Sequence, residues 1–369
     1  MVFHNKYMVI GALLTFTALG ASANPSVLIK GSWERTIYVP PLLSSNHTDE
    51  ARALIYHGRV FVGSSIGKFC AFDVNTGKKF WCVSPTNGKT IYGRPYIHKN
   101  AIFIGGYDGC IHKLDIKTGK ELSTKPFCTD GTINADISGW KDMVFFTTNT
   151  GKAYALNTKT LTFKWEQHIS RPEGFRILSR AGVLVNNGTC FIGFYNGKVA
   201  AFDCTDGKEK WSSDLSGNKG RFHDILFTPV LTNKMIIVSG YTEGLAALDT
   251  ATGELKWNIP ISAPSAIGRL GNNILVTSAD KEMVLVSMNG NVIKRTTLRM
   301  DFAGTPITTT DGAIILPMDR GMAIVGPELD IRTVYVVRGG LSTQPTVFAN
   351  KLLFMDNRGV FNCLEVLQP

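Results

Sequence analysis

The sequence repeats one pattern along most of its length, and this repeat limits the possible folds more than any other feature. The full pattern combines a small or turn residue, a short run of residues that alternate in character, an acidic residue, a Thr-Gly turn and a tryptophan. Individual copies lack some of these parts, the weaker ones most of all. Copies start 38 to 46 residues apart, close to the period of about 40–45 residues of four-stranded propeller blades. Eight copies therefore predict eight blades. The clear copies start at Gly67, Gly109, Gly151, Gly197 and Glu243, and the weaker ones at Glu282, Gly321 and Gly359.

The predicted fold is all-β, an eight-bladed β-propeller with four antiparallel strands in each blade. Alternation with a period of two divides the first copy into strands at 51–57, 59–64, 68–73 and 78–83. The Asp-x-x-Thr-Gly sequence suits the tight link between the third and fourth strands, because glycine accepts a left-handed conformation there. An X-Pro pair marks the start of the innermost strand, where a missing amide donor is tolerated. These pairs are Arg94-Pro95, Thr228-Pro229, Thr305-Pro306 and Gln344-Pro345.

The tryptophans that end the outer strands are predicted to pack between neighbouring blades as core aromatics. They are Trp81, Trp165, Trp211 and Trp257. The eighth copy stops just after its third strand, so we expect the N-terminal segment 26–38, which contains Trp33, to supply the fourth strand of the last blade. Closing the ring with both termini removes exposed sheet edges.

The N-terminus has the features of an export signal. A mildly basic start leads into an uncharged apolar stretch from Met8 to Gly20, and small residues at 21–23 provide a cleavage site. The stretch is shorter than the roughly 20 apolar residues of a transmembrane helix, and no later segment is long enough. We expect a signal peptide at 1–23 and a mature chain at 24–369 that forms one soluble domain without a transmembrane span. Because no cysteine precedes Cys70, we expect no lipid anchor at the N-terminus.

The charge of the chain is basic but dispersed. Thirty-nine Lys+Arg against 29 Asp+Glu give a net charge of +10, yet the basic residues form no run and no helix interleaved with aromatic residues. This pattern argues against nucleic-acid binding. A solvated basic surface is the first interpretation, and an acidic protein partner or an anionic membrane surface is the second.

Seven cysteines in an exported chain predict disulfides rather than metal binding. Two pairs flank hairpin turns almost symmetrically, which places each pair on adjacent strands, and a third pair flanks its turn less symmetrically. No Cys-x-x-Cys or His-x-His spacing indicates a metal site. The predicted bonds are Cys70–Cys82, Cys190–Cys204 and, less firmly, Cys110–Cys128, which leaves Cys363 alone.

The GxxxALDxxTGxxxW copies, the X-Pro strand and the eight blades together resemble the quinoprotein-type (PQQ-like) propeller repeats, across essentially all of the mature chain. Within that group, the length and the single domain are similar to the BamB family, the propeller subunits of the bacterial outer-membrane β-barrel assembly machine. The resemblance implies a non-catalytic protein-binding scaffold in the periplasm, peripheral at the outer membrane, whose partner is that machine or another envelope complex. The family is normally lipid-anchored, and this chain departs from it there.

Two segments of the chain match the family's partner-binding loops. The stretch 221–230 reads R-x-x-D-x-x-x-T-P-V, and 175–179 resembles the family's R-x-x-S loop. In that family these loops contact the central barrel protein, although Leu226 stands here where the family has a second acidic residue. Arg221 and Asp224 can alternatively pair within their own loop. The partner-binding residues that the resemblance implies are Phe175, Arg176, Ser179, Arg221 and Asp224.

Two enzymatic interpretations compete with the scaffold. Residues 63–67 read G-S-S-I-G, but a nucleophile elbow needs a strand-to-helix turn, and the repeat predicts a hairpin at this place. A quinone-dependent dehydrogenase of the same repeat family is the serious alternative. As known, those enzymes are far longer, with adjacent cysteines against the quinone and a calcium-binding Glu/Asn/Asp set. This chain has no adjacent cysteines. We therefore predict no catalytic residue, no cofactor and no metal.

Overall fold

Eight four-stranded antiparallel sheets build the molecule, which confirms the eight-bladed propeller that the repeat predicts. The computed structural model describes residues 28–40, 48–168, 181–216, 225, 227–232, 234–242, 244–298, 304–309, 313–326 and 328–367. The first strand, β1, covers Leu28–Thr36. Blade 1 consists of β2 (Leu54–Tyr56), β3 (Arg59–Val62), β4 (Phe69–Asp73) and β5 (Lys79–Val83), and blade 2 of β6 (Tyr96–His98), β7 (Ala101–Gly105), β8 (Cys110–Asp115) and β9 (Phe127–Cys128). Blade 3 consists of β10 (Ser138–Trp140), β11 (Met143–Thr147), β12 (Lys152–Asn157) and β13 (Phe163–His168), and blade 4 of β14 (Leu184–Asn186), β15 (Thr189–Gly193), β16 (Lys198–Asp203) and β17 (Glu209–Asp214).

The second half of the chain continues the same order of strands. Blades 5 to 8 consist of β18 (Val230–Leu231), β19 (Met235–Gly240), β20 (Gly244–Asp249) and β21 (Leu255–Ile259); β22 (Pro264–Leu270), β23 (Asn273–Ser278), β24 (Glu282–Ser287) and β25 (Val292–Thr297); β26 (Ile307–Thr308), β27 (Ile314–Met318), β28 (Gly321–Val325) and β29 (Ile331–Val336); and β30 (Thr346–Phe348), β31 (Lys351–Met355) and β32 (Val360–Leu367) with β1.

The N-terminal strand closes the ring as predicted. Strand β1 pairs antiparallel with β32 from Leu28 opposite Leu367 to Thr36 opposite Val360, with a bulge between Gly31 and Trp33. The last blade therefore takes three strands from the C-terminus and one from the N-terminus. Strand β1 thus covers the edge of β32 that would otherwise be exposed where the termini meet.

The first strand of each blade lies towards the centre of the ring, where it contacts the first strands of neighbouring blades, as β2 does with β30. The four prolines of the X-Pro pairs stand directly before β6, β18, β26 and β30, at the predicted strand starts. The first strand of blade 1 is shorter than the predicted 51–57. Arg52 donates its amide to Tyr92 of blade 2, and Ala51 and Ala53 accept hydrogen bonds from Thr343 and Thr346 of blade 8. These backbone groups bond to neighbouring blades rather than to their own sheet.

The predicted tryptophans pack between blades, and each donates its indole N–H to a backbone carbonyl of the following blade. The acceptors are Ile116 for Trp81 (3.3 Å), Cys204 for Trp165 (3.0 Å), Thr250 for Trp211 (3.1 Å) and Met288 for Trp257 (3.0 Å). Trp33 bonds in the same way to Val74 at 3.2 Å. The bond satisfies the one polar group of each buried ring.

The turn chemistry of the repeat is also visible in the structure. In blade 1, the Asp73 carboxylate accepts hydrogen bonds from the backbone amides of Asn75 and Thr76. These bonds, with that of the Thr76 hydroxyl, lower the pKa of Asp73. The glycine that follows, Gly77, has a φ of 65°, which explains why glycine is used there.

The structure contains disulfides at the three predicted cysteine pairs: Cys70–Cys82, Cys110–Cys128 and Cys190–Cys204. The first two join residues that lie directly opposite each other on adjacent strands. Cys363 is free and buried. The expected signal peptide at 1–23 lies outside the described residues. In the part of the chain that the structure describes, no helix has the length and apolar character needed to cross a membrane.

Candidate functional site

One face of the propeller carries the candidate binding loops. Because the strands of a blade alternate in direction, the links between blades and the turns between second and third strands emerge on the same side. We call this side the loop face: it comprises the described inter-blade links, such as 84–95, and the turns such as 63–68. Loops on a rigid scaffold commonly carry binding residues.

In the sequence, the residues implied as partner-binding all fall within two links between blades. Phe175, Arg176 and Ser179 belong to the link between β13 and β14, and Arg221 and Asp224 belong to the link between β17 and β18. All five lie outside the described residues, so their placement as partner-binding residues stays a prediction.

The ends of these two links lie side by side. The Gly182 amide at the end of the first link donates to Thr228 Oγ1 at the end of the second, at 2.8 Å. Ile225 is buried, donates its amide to the Phe194 carbonyl at 3.2 Å and forms a bridge with Gly240. Blades 4 and 5 therefore hold the described ends of the two links next to each other.

Three tyrosines occupy the same turn position in blades 2, 4 and 5. Tyr107, Tyr195 and Tyr241 each follow the second strand of their blade, on the loop face. Tyr107 and Tyr241 keep 36% and 40% of their surface exposed, while the Tyr195 hydroxyl lies 3.5 Å from the carbonyl of Asn149. Sequence reasoning missed this set, although aligning the turns of the repeat would have brought the three residues into register. Exposed tyrosine is a frequent interface residue.

A buried histidine in blade 2 was also missed. His112 is 5% exposed and lies between two carboxylates, 2.8 Å from Asp108 and 3.3 Å from Glu121. Burial lowers the pKa of His112, but the hydrogen bonds that its ring donates to the two carboxylates, together with their negative charges, raise it to about 9 overall. The imidazolium is therefore the form that this site favours at neutral pH.

His112, Asp108 and Cys110 are close enough together to suggest a metal site. Cys110 Sγ is already bonded to Cys128, so it offers no thiolate ligand while the disulfide is intact. Only the imidazole and the carboxylate remain, and the His112–Asp108 hydrogen bond uses both. The cluster is best described as a buried ion pair beside a disulfide.

The G-S-S-I-G segment has a structural role in closing the ring. It lies between β3 and β4, in a hairpin as expected. Ser65 donates its hydroxyl to Tyr38 Oη at 2.7 Å and its amide to Asp49 at 2.9 Å, and Tyr38 also donates to Asp49 at 2.8 Å. The segment thus connects the N-terminal chain to blade 1.

Comparison with known proteins identifies the repeat. A family model described as outer membrane protein assembly factor BamB matches residues 67–296. The chain belongs to the BamB family. Three relatives with that name come from Moranella endobia (25% identity over 253 residues, 64% of this chain and 64% of the relative), Yersinia pestis (25% over 256 residues, 63% and 62%) and Shewanella oneidensis (21% over 340 residues, 83% and 82%). The chain thus spans somewhat less than two thirds of the length of the first two relatives.

Solved structures support the same architecture. The crystal structure of BamB from Moraxella catarrhalis superposes with a TM-score of 0.78 at 19% identity, covering 92% of this chain and all of that one. A quinohemoprotein alcohol dehydrogenase from Comamonas testosteroni superposes with a TM-score of 0.70 at 12% identity, covering 91% of this chain and 76% of the enzyme. At these identities the likeness shows the fold, which BamB-family propellers share with quinone enzymes.

Proposed function

We propose that this chain is a non-catalytic protein-binding scaffold of the bacterial envelope that assists the assembly of outer-membrane proteins. Membership of the BamB family supports this role, since relatives at 21–25% identity carry the name outer membrane protein assembly factor. The expected export signal would place the mature chain in the periplasm, peripheral at the outer membrane. The partner is an envelope protein, with the barrel assembly machine as the first candidate.

The observation that supports the proposed site is the hydrogen bond between Gly182 and Thr228, which joins the described ends of the two inter-blade links. We propose that Phe175, Arg176, Ser179, Arg221 and Asp224 contact the partner from these links. Tyr195 and Tyr241, on the turns of blades 4 and 5, would extend the same surface. Tyrosine and arginine dominate the binding energy of many interfaces because they combine large contact area with hydrogen bonding.

The test is recovery of envelope partners by tagged variants of the full chain. Arg176→Ala and Arg221→Glu would each lower recovery by about thirtyfold or more, since truncating an interface anchor costs about 2 kcal/mol. Arg269→Glu is a matched control, because Arg269 is exposed beside the turn between β22 and β23, on the opposite face. Melting temperatures would be measured for all variants. If both loop variants are folded and recover the partner as well as wild type does, the partner-binding site does not lie in these links.

The alternative, a quinone-dependent dehydrogenase, has only the shared fold in its favour. We expect the chain to bind pyrroloquinoline quinone with calcium no better than a heat-denatured sample does. We also expect no alcohol-dependent reduction of a redox dye. Dye reduction above that of the denatured control would contradict the proposal of a non-catalytic scaffold.

A further inference from the structure

A basic cavity lies between blade 8 and blade 1, away from the proposed partner-binding links. Its volume is about 360 Å³, within the range of small-molecule sites. Arg35 lines it from blade 8, and Lys68 and Lys79 line it from blade 1. No acidic residue is among the described residues that line it. Phe72 and the Cys70–Cys82 disulfide add apolar surface to the same wall.

Comparison with blade 4 shows how the charges of blade 1 differ between equivalent positions of the repeat. In blade 4, Lys198 occupies the position of Lys68, and Glu209 occupies the position of Lys79, as the strand registers show. Lys198 and Glu209 form an ion pair at 3.7 Å. In blade 1 a lysine replaces the glutamate, so two cations stand where blade 4 has a neutral pair. Lys68 and Lys79 both line the cavity, so their like charges repel each other there.

The cations of the cavity are held by neutral groups. Arg35 donates from Nε to the Gly77 carbonyl at 2.7 Å and from Nη2 to the Thr76 carbonyl at 2.9 Å. Lys68 Nζ donates to the Ile37 carbonyl at 3.1 Å. These bonds fix the positions of two positive charges without cancelling them. Within the described part of the chain, no ion pair is formed by Arg35, Lys68 or Lys79.

We infer that this cavity binds a small amphiphilic anion, with a carboxylate or phosphate head on a short apolar segment. The three cations would contact the head, and Phe72, Ile37 and the disulfide would contact the apolar segment. Proteins tend to keep an arrangement of charges that costs stability at sites where it serves a function. The inference is independent of the proposed scaffold role, because the cavity lies between blades 8 and 1.

The experiment is calorimetric titration of the purified mature chain with hexyl phosphate, hexanoate, inorganic phosphate and hexyltrimethylammonium. We expect saturable binding of the two amphiphilic anions, at least tenfold weaker binding of inorganic phosphate, and no binding of the cation. Lys79→Glu restores the charge pair of blade 4 and should weaken hexyl phosphate binding by tenfold or more. Lys208→Glu makes the same change in net charge on an exposed turn of blade 4 and should leave the affinity unchanged.

The outcomes separate a built site from general attraction to a basic protein. Equal weakening by Lys79→Glu and Lys208→Glu would overturn the proposal, because the net charge alone would explain binding. Equal affinity for inorganic phosphate and hexyl phosphate would mean an adventitious ion only. Circular dichroism and the melting temperature would show that Lys79→Glu is folded, and we expect it to be at least as stable as wild type. Loss of binding with a raised melting temperature would support the site directly.

Discussion

The indole ring of Trp165 lies against Gly207 of the next blade, so closely that a Cβ added at Gly207 would lie 2.7 Å from the ring. The same contact recurs at four other interfaces between blades. The pairs are Trp33 with Gly77, Trp81 with Gly119, Trp211 with Gly253, and Trp257 with Gly290. The glycine of the Thr-Gly turn thus has two roles: it accepts a positive φ, and it leaves room for the tryptophan of the preceding blade.

Where the tryptophan is missing, the glycine is missing too. Blade 2 has Ser123 at the tryptophan position, and the turn of blade 3 has Leu161, with a φ of 56°, in place of glycine. Likewise, blade 6 has Lys294 at the tryptophan position, and the turn of blade 7 has Leu329 in place of glycine, again with a φ of 56°. Both leucines are buried against the preceding blade. A leucine side chain therefore fills the space that the indole occupies elsewhere, and this offsets the strained backbone.

The first prediction is that Gly207→Ala destabilises the propeller more than an alanine at an open glycine. Gly207 combines a φ of 76° with the tight contact to Trp165. The left-handed backbone costs about 1–2 kcal/mol for alanine, and the overlap adds about 1–3 kcal/mol. Gly58→Ala is the matched control, since its φ is 72° and nothing lies within 4 Å of an added Cβ. Urea unfolding should show the difference, and equal losses would mean that the ring contact is unimportant.

The second prediction concerns the thiols. Six of the seven cysteines are in disulfides, so the denatured, unreduced chain should show one reactive thiol. Burial raises the pKa of the Cys363 thiol to about 11, so this thiol should react slowly in the native protein. Cys363→Ser should abolish the signal. Each disulfide closes a loop of 12 to 18 residues, and such a bond stabilises the folded state by about 3 kcal/mol. Reduction should therefore lower the free energy of unfolding.

The third prediction is a pH dependence that His112 causes. Its folded pKa is about 9, above the ordinary value near 6.5. The stabilisation is therefore complete below about pH 6.5 and is lost as the pH rises towards 9. Its upper limit is about 3 kcal/mol. His112→Gln cannot gain a proton, so the difference in unfolding free energy between wild type and this variant should shrink from pH 6 to pH 9. A difference that stays constant over this range would rule out a charged His112.

Most of the fold could be predicted from the sequence because the repeat is periodic. The period gave the number of blades, and the missing fourth strand of the last copy indicated its pairing with β1. The cysteine pairs followed from hairpin symmetry for the same reason. The strand ends were less predictable, as for β2, because Ala51 and Ala53 bond to blade 8, hundreds of residues away along the chain.

The candidate sites were less accessible to sequence reasoning. Phe175, Arg176 and Arg221 came from resemblance to a family, and the two longest repeats, of 46 residues, pointed only to the links that contain them. The His112 cluster needs Glu121, which reaches it only because the chain folds back beside β8 after the turn. The basic cavity depends on Arg35, which reaches blade 1 only because the N-terminal strand closes the ring. Such contacts are set by tertiary structure and leave no local pattern.

The last prediction concerns Asp49, which joins three parts of the ring closure. Its carboxylate is fully buried and accepts hydrogen bonds from the Tyr38 hydroxyl and the amides of Ala51 and Ser65. Its own amide donates to Asn357 of blade 8 at 3.0 Å. Burial raises the pKa of Asp49, while these hydrogen bonds oppose the shift. One residue thus connects the N-terminal segment with blades 1 and 8.

We expect Asp49→Ala to lower the free energy of unfolding by about 2–4 kcal/mol, because it removes the common acceptor of three buried hydrogen bonds. Tyr38→Phe removes one of these bonds and should cost about 1 kcal/mol. Asp49→Ala with Tyr38→Phe should cost about 1 kcal/mol less than the sum of the two single changes, since the residues share a bond. Asp319→Ala, at an exposed turn of blade 7 on the same face, should change stability by less than about 0.5 kcal/mol. Additive costs for Asp49 and Tyr38 in urea unfolding would show that the closure does not act as a coupled network.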